Sequence, residues 1–162
     1  LLTATEEESE RIQLKNDLVK LAFECEYTLP IDFNDFNQGR ILDIGCGPGS
    51  WCLDISSKFP SIHVTGIDCE DGMFPDPATI PDNCTFQKHN LLETNLVDQF
   101  DQYTQFDYIH IRFMNLSLTA EQYSKVVADC WRLLKRGGYL ELMEIDMTIY
   151  NPGKTTKKKN AD

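Results

Sequence analysis

The sequence predicts an α/β fold: a doubly wound, mostly parallel sheet with helices on both faces. Two observations support this prediction. Short apolar runs alternate with helical stretches, which is typical of βαβ units. A glycine-rich loop directly follows the first apolar run, where such sheets place a ligand-binding turn. Because βαβ crossovers are right-handed, we expect the strand order 3-2-1-4-5.

The first predicted element is an amphipathic helix over residues 5–26. Thr5 and Glu8 have the spacing of an N-terminal capping box. Behind them, six residues recur at helical spacing: Ile12, Lys15, Leu18, Val19, Ala22 and Cys25. We expect this helix and the loop after it, which ends at residue 39, to cover a ligand site.

Five short strands and two further helices follow. The predicted strands are residues 40–44, 62–67, 85–88, 106–111 and 139–145. The predicted helices are residues 49–59 and 120–135, and Pro60 ends the first of them. Residues 72–83 are rich in proline and glycine and are predicted to be loop. The chain is therefore divided into an N-terminal helix and loop (1–39), a ligand-binding domain (40–150) and a polar tail (151–162).

Length, charge and cysteine usage exclude several classes of protein. The 162 residues are enough for one domain with a real core. The formal net charge of -11 argues against broad binding to a nucleic-acid backbone, and no apolar run is long enough to span a membrane. The six cysteines and three histidines are scattered, so we expect no disulfide framework and no metal site. Reduced thiols predict a cytoplasmic or nuclear protein.

The segment ILDIGCGPGS, residues 41–50, raises the question of which ligand the loop binds. Gly45, Gly47 and Gly49 cost backbone entropy, so something must approach the backbone closely here. A dinucleotide fingerprint, G-x-G-x-x-G, would have glycine where Ser50 stands. Pro48 removes an N–H that would help to bind a phosphate. These departures disfavour a nicotinamide-dependent oxidoreductase, which remains an alternative.

S-adenosylmethionine, a ligand without phosphate, accounts better for the polar residues near the loop. Its positive sulfonium and ammonium favour a nearby carboxylate, and Asp43 stands just ahead of the loop. Asp68, at the end of the second strand, could accept hydrogen bonds from ribose hydroxyls. Asn90, just after the third strand, could pair with the adenine edge, beside an apolar wall at Leu91. Together, these residues at three successive strand ends favour this ligand.

Five segments resemble successive motifs of class I S-adenosylmethionine-dependent methyltransferases. They are ILDIGCGPGSW, GIDCEDGMFP, TFQKHNLLE, FDYIHIRFM and WRLLKRGGYLELMEID. More narrowly, EEESERIQLKNDL and GGYLELMEIDMTIYNPG are similar to fungal methyltransferases of the secondary-metabolism regulator type. The resemblance spans about residues 5–153 and implies a Rossmann-like fold, which in the full family has seven strands.

The resemblance also implies roles for matching positions. The implied cofactor-binding residues are Asp43, Gly45, Cys46, Gly47, Gly49, Asp68, Cys69, Met73, Asn90, Leu91, His110 and Arg112. Arg11 and Gln13 on the first helix could close over the carboxylate of S-adenosylmethionine. Many relatives have aspartate at the position of Asn90. An amide in place of that carboxylate should weaken adenine recognition only modestly. A small-molecule or protein methyl acceptor is implied, and a protein partner is possible.

Methyl transfer by direct displacement needs alignment and exclusion of water more than acid–base chemistry. Tyr108 and His110 are the nearest candidates for a general base, although alternating residues of a buried strand more often pack. Trp51 and Trp131 are predicted to pack their helices against the sheet or in the core.

The predicted strands stop at five of seven, which leaves residues 139–145 at an open sheet edge. We therefore expect a piece of a longer protein or a short family member. A non-catalytic module that binds S-adenosylmethionine or a partner is the alternative.

Overall fold

A computed structural model describes residues 5–100, 105–151 and 153, and it confirms the predicted sheet. The helices are α1 (Glu6–Phe23), α2 (Ser50–Lys58) and α3 (Ala120–Leu133). The strands are β1 (Arg40–Ile44), β2 (His63–Asp68), β3 (Cys84–Lys88), β4 (Phe106–Arg112) and β5 (Leu134–Met143). All four pairings are parallel, in the order β3-β2-β1-β4-β5. The predicted polar tail lies mostly outside the described residues.

Neighbouring residues of the central strand enter two different hydrophobic cores. Ile41 of β1 is buried in the core that contains Ile55 of α2. The next residue, Leu42, is buried in the core that contains Val126 of α3. Because successive side chains of a strand point to opposite faces, α2 and α3 cover opposite faces of the sheet. This arrangement confirms the doubly wound architecture.

The last strand begins earlier than the sequence predicts. Helix α3 ends at Leu133, and Leu134 already pairs with Phe106 of β4. The register then shifts before Tyr139 pairs with Tyr108. A bulge of this kind interrupts the regular alternation of side chains between the two faces of a strand, which a sequence pattern depends on. The predicted start at residue 139 was therefore wrong. β5 lies at the edge of the sheet, as expected.

Helix α1 does not bury the face that its apolar spacing predicted. Leu18 is 56 % exposed and Ala22 is exposed, whereas Asn16 is only 2 % exposed. The Asn16 amide and the Lys20 ammonium both donate to the Asp54 carboxylate of α2, at 3.2 and 2.8 Å. These polar contacts set the rotation of α1. The inclusion of Leu18 and Ala22 in the buried face was therefore wrong.

The two tryptophans have opposite environments. Trp51 is 2 % exposed in the core beneath α2, as predicted. Trp131 is 79 % exposed, so the prediction that it packs was wrong. Helix α3 buries Cys130 and Leu133, and Trp131 lies about 100° further round the helix than Cys130.

Within the described residues, no helix combines the length and the apolar character needed to cross a membrane. The same residues contain no group of three or more His, Cys, Asp or Glu side chains that could hold a metal ion.

We expect Gly49→Ala to destabilise the protein more than Gly137→Ala. Both glycines have positive φ, +76° and +83°, so each substitution costs about 1–2 kcal/mol of unfolding free energy. At Gly49 a new Cβ would also overlap the Phe86 ring, whereas nothing lies within 4 Å of that position at Gly137. Overpacking adds about 1–3 kcal/mol, which urea denaturation can measure. Equal losses for the two variants would contradict the packing described.

Candidate functional site

The glycine loop after β1 is packed closely on two sides. The N–H of Gly45 donates to the carbonyl of Ile67 in β2, at 2.9 Å. A Cβ at Gly45 would overlap the sulfur of Met114, which follows β4. Gly45 and Gly47 have φ of +74° and +55°, a backbone conformation that side-chain-bearing residues rarely adopt. The loop therefore lies at the carboxyl ends of β1, β2 and β4 with its backbone closely packed, since Gly47 is buried and Gly45 is half-buried.

The Asp68 carboxylate joins the end of β2 to the glycine loop. Its Oδ2 accepts a hydrogen bond from the N–H of Gly47 at 2.8 Å, and its Oδ1 accepts one from the N–H of Glu70 at 3.1 Å. Each carboxylate oxygen has a second lone pair, so both can still accept from a ligand hydroxyl. Asp68 is half-buried, as are Cys69 and Met73 in the loop after it. The ribose role of Asp68 stays a prediction.

Asp43 and His110 form a buried pair on neighbouring strands. The Asp43 Oδ1 lies 2.8 Å from His110 Nδ1, and the residues are 4 % and 1 % exposed. The Cys52 thiol donates to Asp43 Oδ2 at 3.2 Å, and Trp51 stacks on the imidazole with ring centroids 4.0 Å apart. Both oxygens of Asp43 are thus engaged by side chains. Asp43 can act on a ligand through its charge, while the pair supports the loop from beneath.

Tyr108 and Glu141 form a second buried polar contact on the same face. The Tyr108 hydroxyl donates to Glu141 Oε2 at 2.7 Å, and the N–H of Thr28 donates to the same oxygen at 3.0 Å. Burial, and then the neighbouring Glu141 carboxylate, raise the pKa of Tyr108 far above its usual value. The phenol therefore stays protonated. Both general-base candidates, Tyr108 and His110, are packed inside the sheet face, 0 % and 1 % exposed.

The residues after β3 form a hydrogen-bonded turn. Asn90 Oδ1 accepts from the N–H of Leu92 at 3.0 Å, and its amide nitrogen donates to Glu93 at 2.9 Å. This Asx-type turn is a structural role of Asn90. Leu91 packs, partly buried, against the core beneath α3. The adenine contacts of Asn90 and Leu91 stay predictions.

Helix α1 covers the glycine loop. The Ile12 side chain lies 3.6 Å from the position of a Cβ at Gly47. The Ser50 hydroxyl, at the start of α2, donates to the Gln13 side chain. Gln13 therefore reaches the start of α2 beside the loop, and its contact with the carboxylate of S-adenosylmethionine stays a prediction. The Arg11 guanidinium instead pairs with Glu8 of its own helix, where both side chains form an exposed contact.

A strained segment after β4 completes the site. The Arg112 guanidinium donates to Asn16 Oδ1 of α1 at 2.5 Å, and burial lowers the pKa of Arg112. Phe113 has φ of +63°, which is rare for a bulky residue and is typical of functional sites. The Lys15 ammonium lies 3.4 Å from the centroid of the Phe113 ring. The sequence motifs pointed to the end of β4 around Arg112 but missed Asn16 and Met114. No local pattern marks Asn16, a single polar residue in a polar helix.

A family comparison gives this geometry its context. Residues 41–138, more than half of the chain, match the model of a family described as a methyltransferase domain. The chain belongs to this methyltransferase family. The matched region contains the glycine loop, Asp68 and all of β4.

Curated relatives of the methyltransferase domain come from fungi. The N-methyltransferase tcpN of Claviceps purpurea is 29 % identical over 90 % of this chain and 52 % of its own length. The N-methyltransferase verN of Clonostachys rogersoniana is 30 % identical over 89 % of this chain and 49 % of its own length. The secondary metabolism regulator LAE1 of Cochliobolus heterostrophus is 29 % identical over 88 % and 44 %. The chain thus spans about half the length of these relatives.

Solved structures share the fold of the methyltransferase domain at low sequence identity. One neighbour is a chain from the complex of the Haloferax volcanii Trm112 methyltransferase activator with a methyltransferase. Its TM-score is 0.62, and its sequence is 16 % identical over 86 % of this chain and 57 % of its own length. The glycopeptide N-methyltransferase MtfA, complexed with S-adenosylmethionine, has a TM-score of 0.53, with 18 % identity over 78 % and 52 %. PKMT2 from Rickettsia typhi, in complex with AdoHcy, has a TM-score of 0.55, with 22 % identity over 65 % and 21 %.

Cys46, within the glycine loop of the methyltransferase domain, should resist alkylation in the folded protein. Burial raises the pKa of the Cys46 and Cys52 thiols, and it raises the pKa of Cys84 to about 11. A raised pKa leaves less thiolate at about pH 8, so iodoacetamide should modify the half-buried Cys25 first. Mass spectrometry of labelled peptides measures this order, with urea-unfolded protein as the control. Labelling of Cys46 as fast as Cys25 would contradict a packing role.

Proposed function

We propose that this domain binds S-adenosylmethionine at the carboxyl ends of β1, β2 and β4 and transfers its methyl group to an acceptor. The observation that supports this most is the Asp68 carboxylate, which accepts from Gly47 at 2.8 Å and keeps an acceptor position on each oxygen. Two backbone N–H groups fix it beside the glycine loop. Two structural neighbours are solved with S-adenosylmethionine or AdoHcy.

The residues around the loop have the chemistry that this ligand requires. Ribose hydroxyls would donate to Asp68, and the loop backbone would lie against the amino-acid half of the ligand. The buried carboxylate of Asp43 would supply negative charge near the positive sulfonium. The Arg112 guanidinium, at the end of β4, would attract the ligand carboxylate. The other proposed cofactor-binding residues are Gly45, Cys46, Gly47, Gly49, Cys69, Met73, Asn90, Leu91 and His110.

Bound S-adenosylmethionine would supply the methyl group to the acceptor by direct displacement, which breaks the bond from sulfur to methyl and leaves S-adenosylhomocysteine. The contribution of this chain is to orient the reacting groups and to exclude water. α1, through Ile12 and Gln13, and the Phe113 segment would close over the loop for that purpose. The buried state of Tyr108 and His110 leaves them as supports of the sheet face, so we propose no general base. A nitrogen acceptor suits this arrangement, because a neutral amine needs no base before displacement, and tcpN and verN are named N-methyltransferases.

A second candidate is a regulatory module that binds S-adenosylmethionine without transferring its methyl group. The observation that favours it is the similarity to secondary metabolism regulators such as LAE1. A protein partner, rather than a methyl acceptor, would then carry the effect of ligand binding. Retention of the methyl group in the presence of amine and protein acceptors, despite tight binding, would distinguish this module from an enzyme.

Isothermal titration with S-adenosylmethionine, S-adenosylhomocysteine and NAD tests the cofactor proposal. We expect the first two to bind and NAD not to bind. Asp68→Ala removes hydrogen bonds to a charged group, so affinity should fall by about 10- to 100-fold. Asp71→Ala is the matched control and should leave affinity unchanged. The Asp71 carboxylate is exposed and, among the residues that the structure describes, pairs with the exposed Lys88 at 2.9 Å.

Loss of binding must be separated from loss of folding, because Asp68 also holds the Gly47 N–H. Asp68→Asn keeps one oxygen acceptor and the side-chain shape, so it should fold normally and still bind weakly. Thermal melting of each variant checks the fold. Undiminished binding by a folded Asp68→Ala protein, or binding of NAD alone, would contradict the proposed site.

A further inference from the structure

The outward face of α1 carries a stripe of exposed leucines. Leu14, Leu18 and Leu21 are 60 %, 56 % and 76 % exposed. Their spacing of four and then three residues places them on one side of the helix. Single exposed leucines are normal on a protein surface, whereas a contiguous apolar patch marks an interaction site. We call these three residues the leucine stripe.

The leucine stripe is not needed to attach α1 to its own domain. The inward side of the helix is held by Gln13 to Ser50, by Asn16 to Arg112 and by Lys20 to Asp54. A rotation that buried the leucines would break all of these contacts. The polar attachment therefore keeps the leucines directed outwards, where another molecule can reach them.

Acidic side chains follow one edge of the leucine stripe. Glu10 and Asp17 are exposed and seven residues apart, so they lie on the same side of the helix. Glu24, which is also exposed, follows the last residue of α1 with a left-handed backbone. None of the three takes part in an ion pair within the part of the chain that the structure describes. Apolar and acidic groups side by side fit a ligand that is both apolar and basic.

We propose that the leucine stripe and its acidic edge are a docking surface for a basic amphipathic helix of another protein. Apolar residues of that helix would cover the leucines, and its lysine or arginine residues would reach Glu10 and Asp17. Amphipathic helices are commonly recognised through apolar anchors spaced at i, i+3, i+4 and i+7. The proposal concerns the outer face of α1 and does not depend on methyl transfer.

Other occupants fit this surface less well. Two copies of α1 packed on each other would place acidic edges together, and like charges repel. An anionic membrane surface would be repelled by the same carboxylates. The lysine-rich stretch of this chain, residues 154–159, contains no apolar side chain that could cover leucines. A basic amphipathic helix of another protein complements both the exposed leucines and the acidic side chains of this surface.

Fluorescence anisotropy of the full chain with labelled synthetic peptides tests the proposal. One peptide matches α1 in length, with leucines at heptad spacing and lysines beside them; the second has glutamate in place of each lysine. The lysine peptide should bind saturably, at least about tenfold more tightly than the glutamate peptide and less tightly as salt is added. The doubly substituted Leu18→Ser, Leu21→Ser protein should bind it at least about tenfold more weakly. Leu116→Ser, at a leucine that is 70 % exposed elsewhere, should bind normally.

A charge exchange separates a specific surface from general attraction to an acidic protein. The doubly substituted Glu10→Lys, Asp17→Lys protein should lose its preference for the lysine peptide, while its melting temperature stays close to that of the unmodified chain. The proposal is overturned by failure of the lysine peptide to bind, or by binding that the leucine substitutions do not change. A dimer in sedimentation that Leu18→Ser abolishes would assign the surface to a second copy instead. Binding of anionic phospholipid vesicles in place of the peptide would assign it to a membrane.

Discussion

The hydrogen bond from the Gly47 N–H to the Asp68 carboxylate is the contact on which the site depends. It joins the loop after β1 to the end of β2, two strands that lie side by side in the sheet. Loop and carboxylate can meet because the backbone at Gly45 and Gly47 adopts positive φ. A charged acceptor makes this hydrogen bond stronger than a neutral one. The same carboxylate retains the capacity to bind a ligand.

Beneath this loop, three adjacent strands carry ionisable side chains at the same level. Asp43 pairs in register with His110, and His110 with Glu141. Burial of such groups is costly unless their hydrogen bonds are satisfied, and most of them are. The exception among the described residues of this face is Glu141 Oε1, which is buried without a hydrogen-bond partner. Trp51 stacks over the imidazole and closes the group off from water. This packing explains why motif position alone does not make Tyr108 or His110 a general base.

The sequence was sufficient for features set by local periodicity and by backbone chemistry. Short apolar runs predicted β1 and β4 closely, and the glycines after β1 located the loop. Features set by tertiary contacts could not be predicted from the sequence in this way. The rotation of α1 depends on the pairing of Lys20 with Asp54, which are distant in sequence, so apolar spacing placed Leu18 wrongly. The early start of β5 depends on the pairing of Leu134 with Phe106 and on a bulge that interrupts alternation.

The central claim is that the loop and Asp68 form a binding site for S-adenosylmethionine. Its most direct test is a heteronuclear NMR titration of the nitrogen-15-labelled chain with S-adenosylhomocysteine. We predict that the largest amide shifts fall on Gly45, Gly47, Gly49 and Glu70, while the edge strand β5 changes little. Shifts confined to other elements, or no shifts at saturating ligand, would contradict the account.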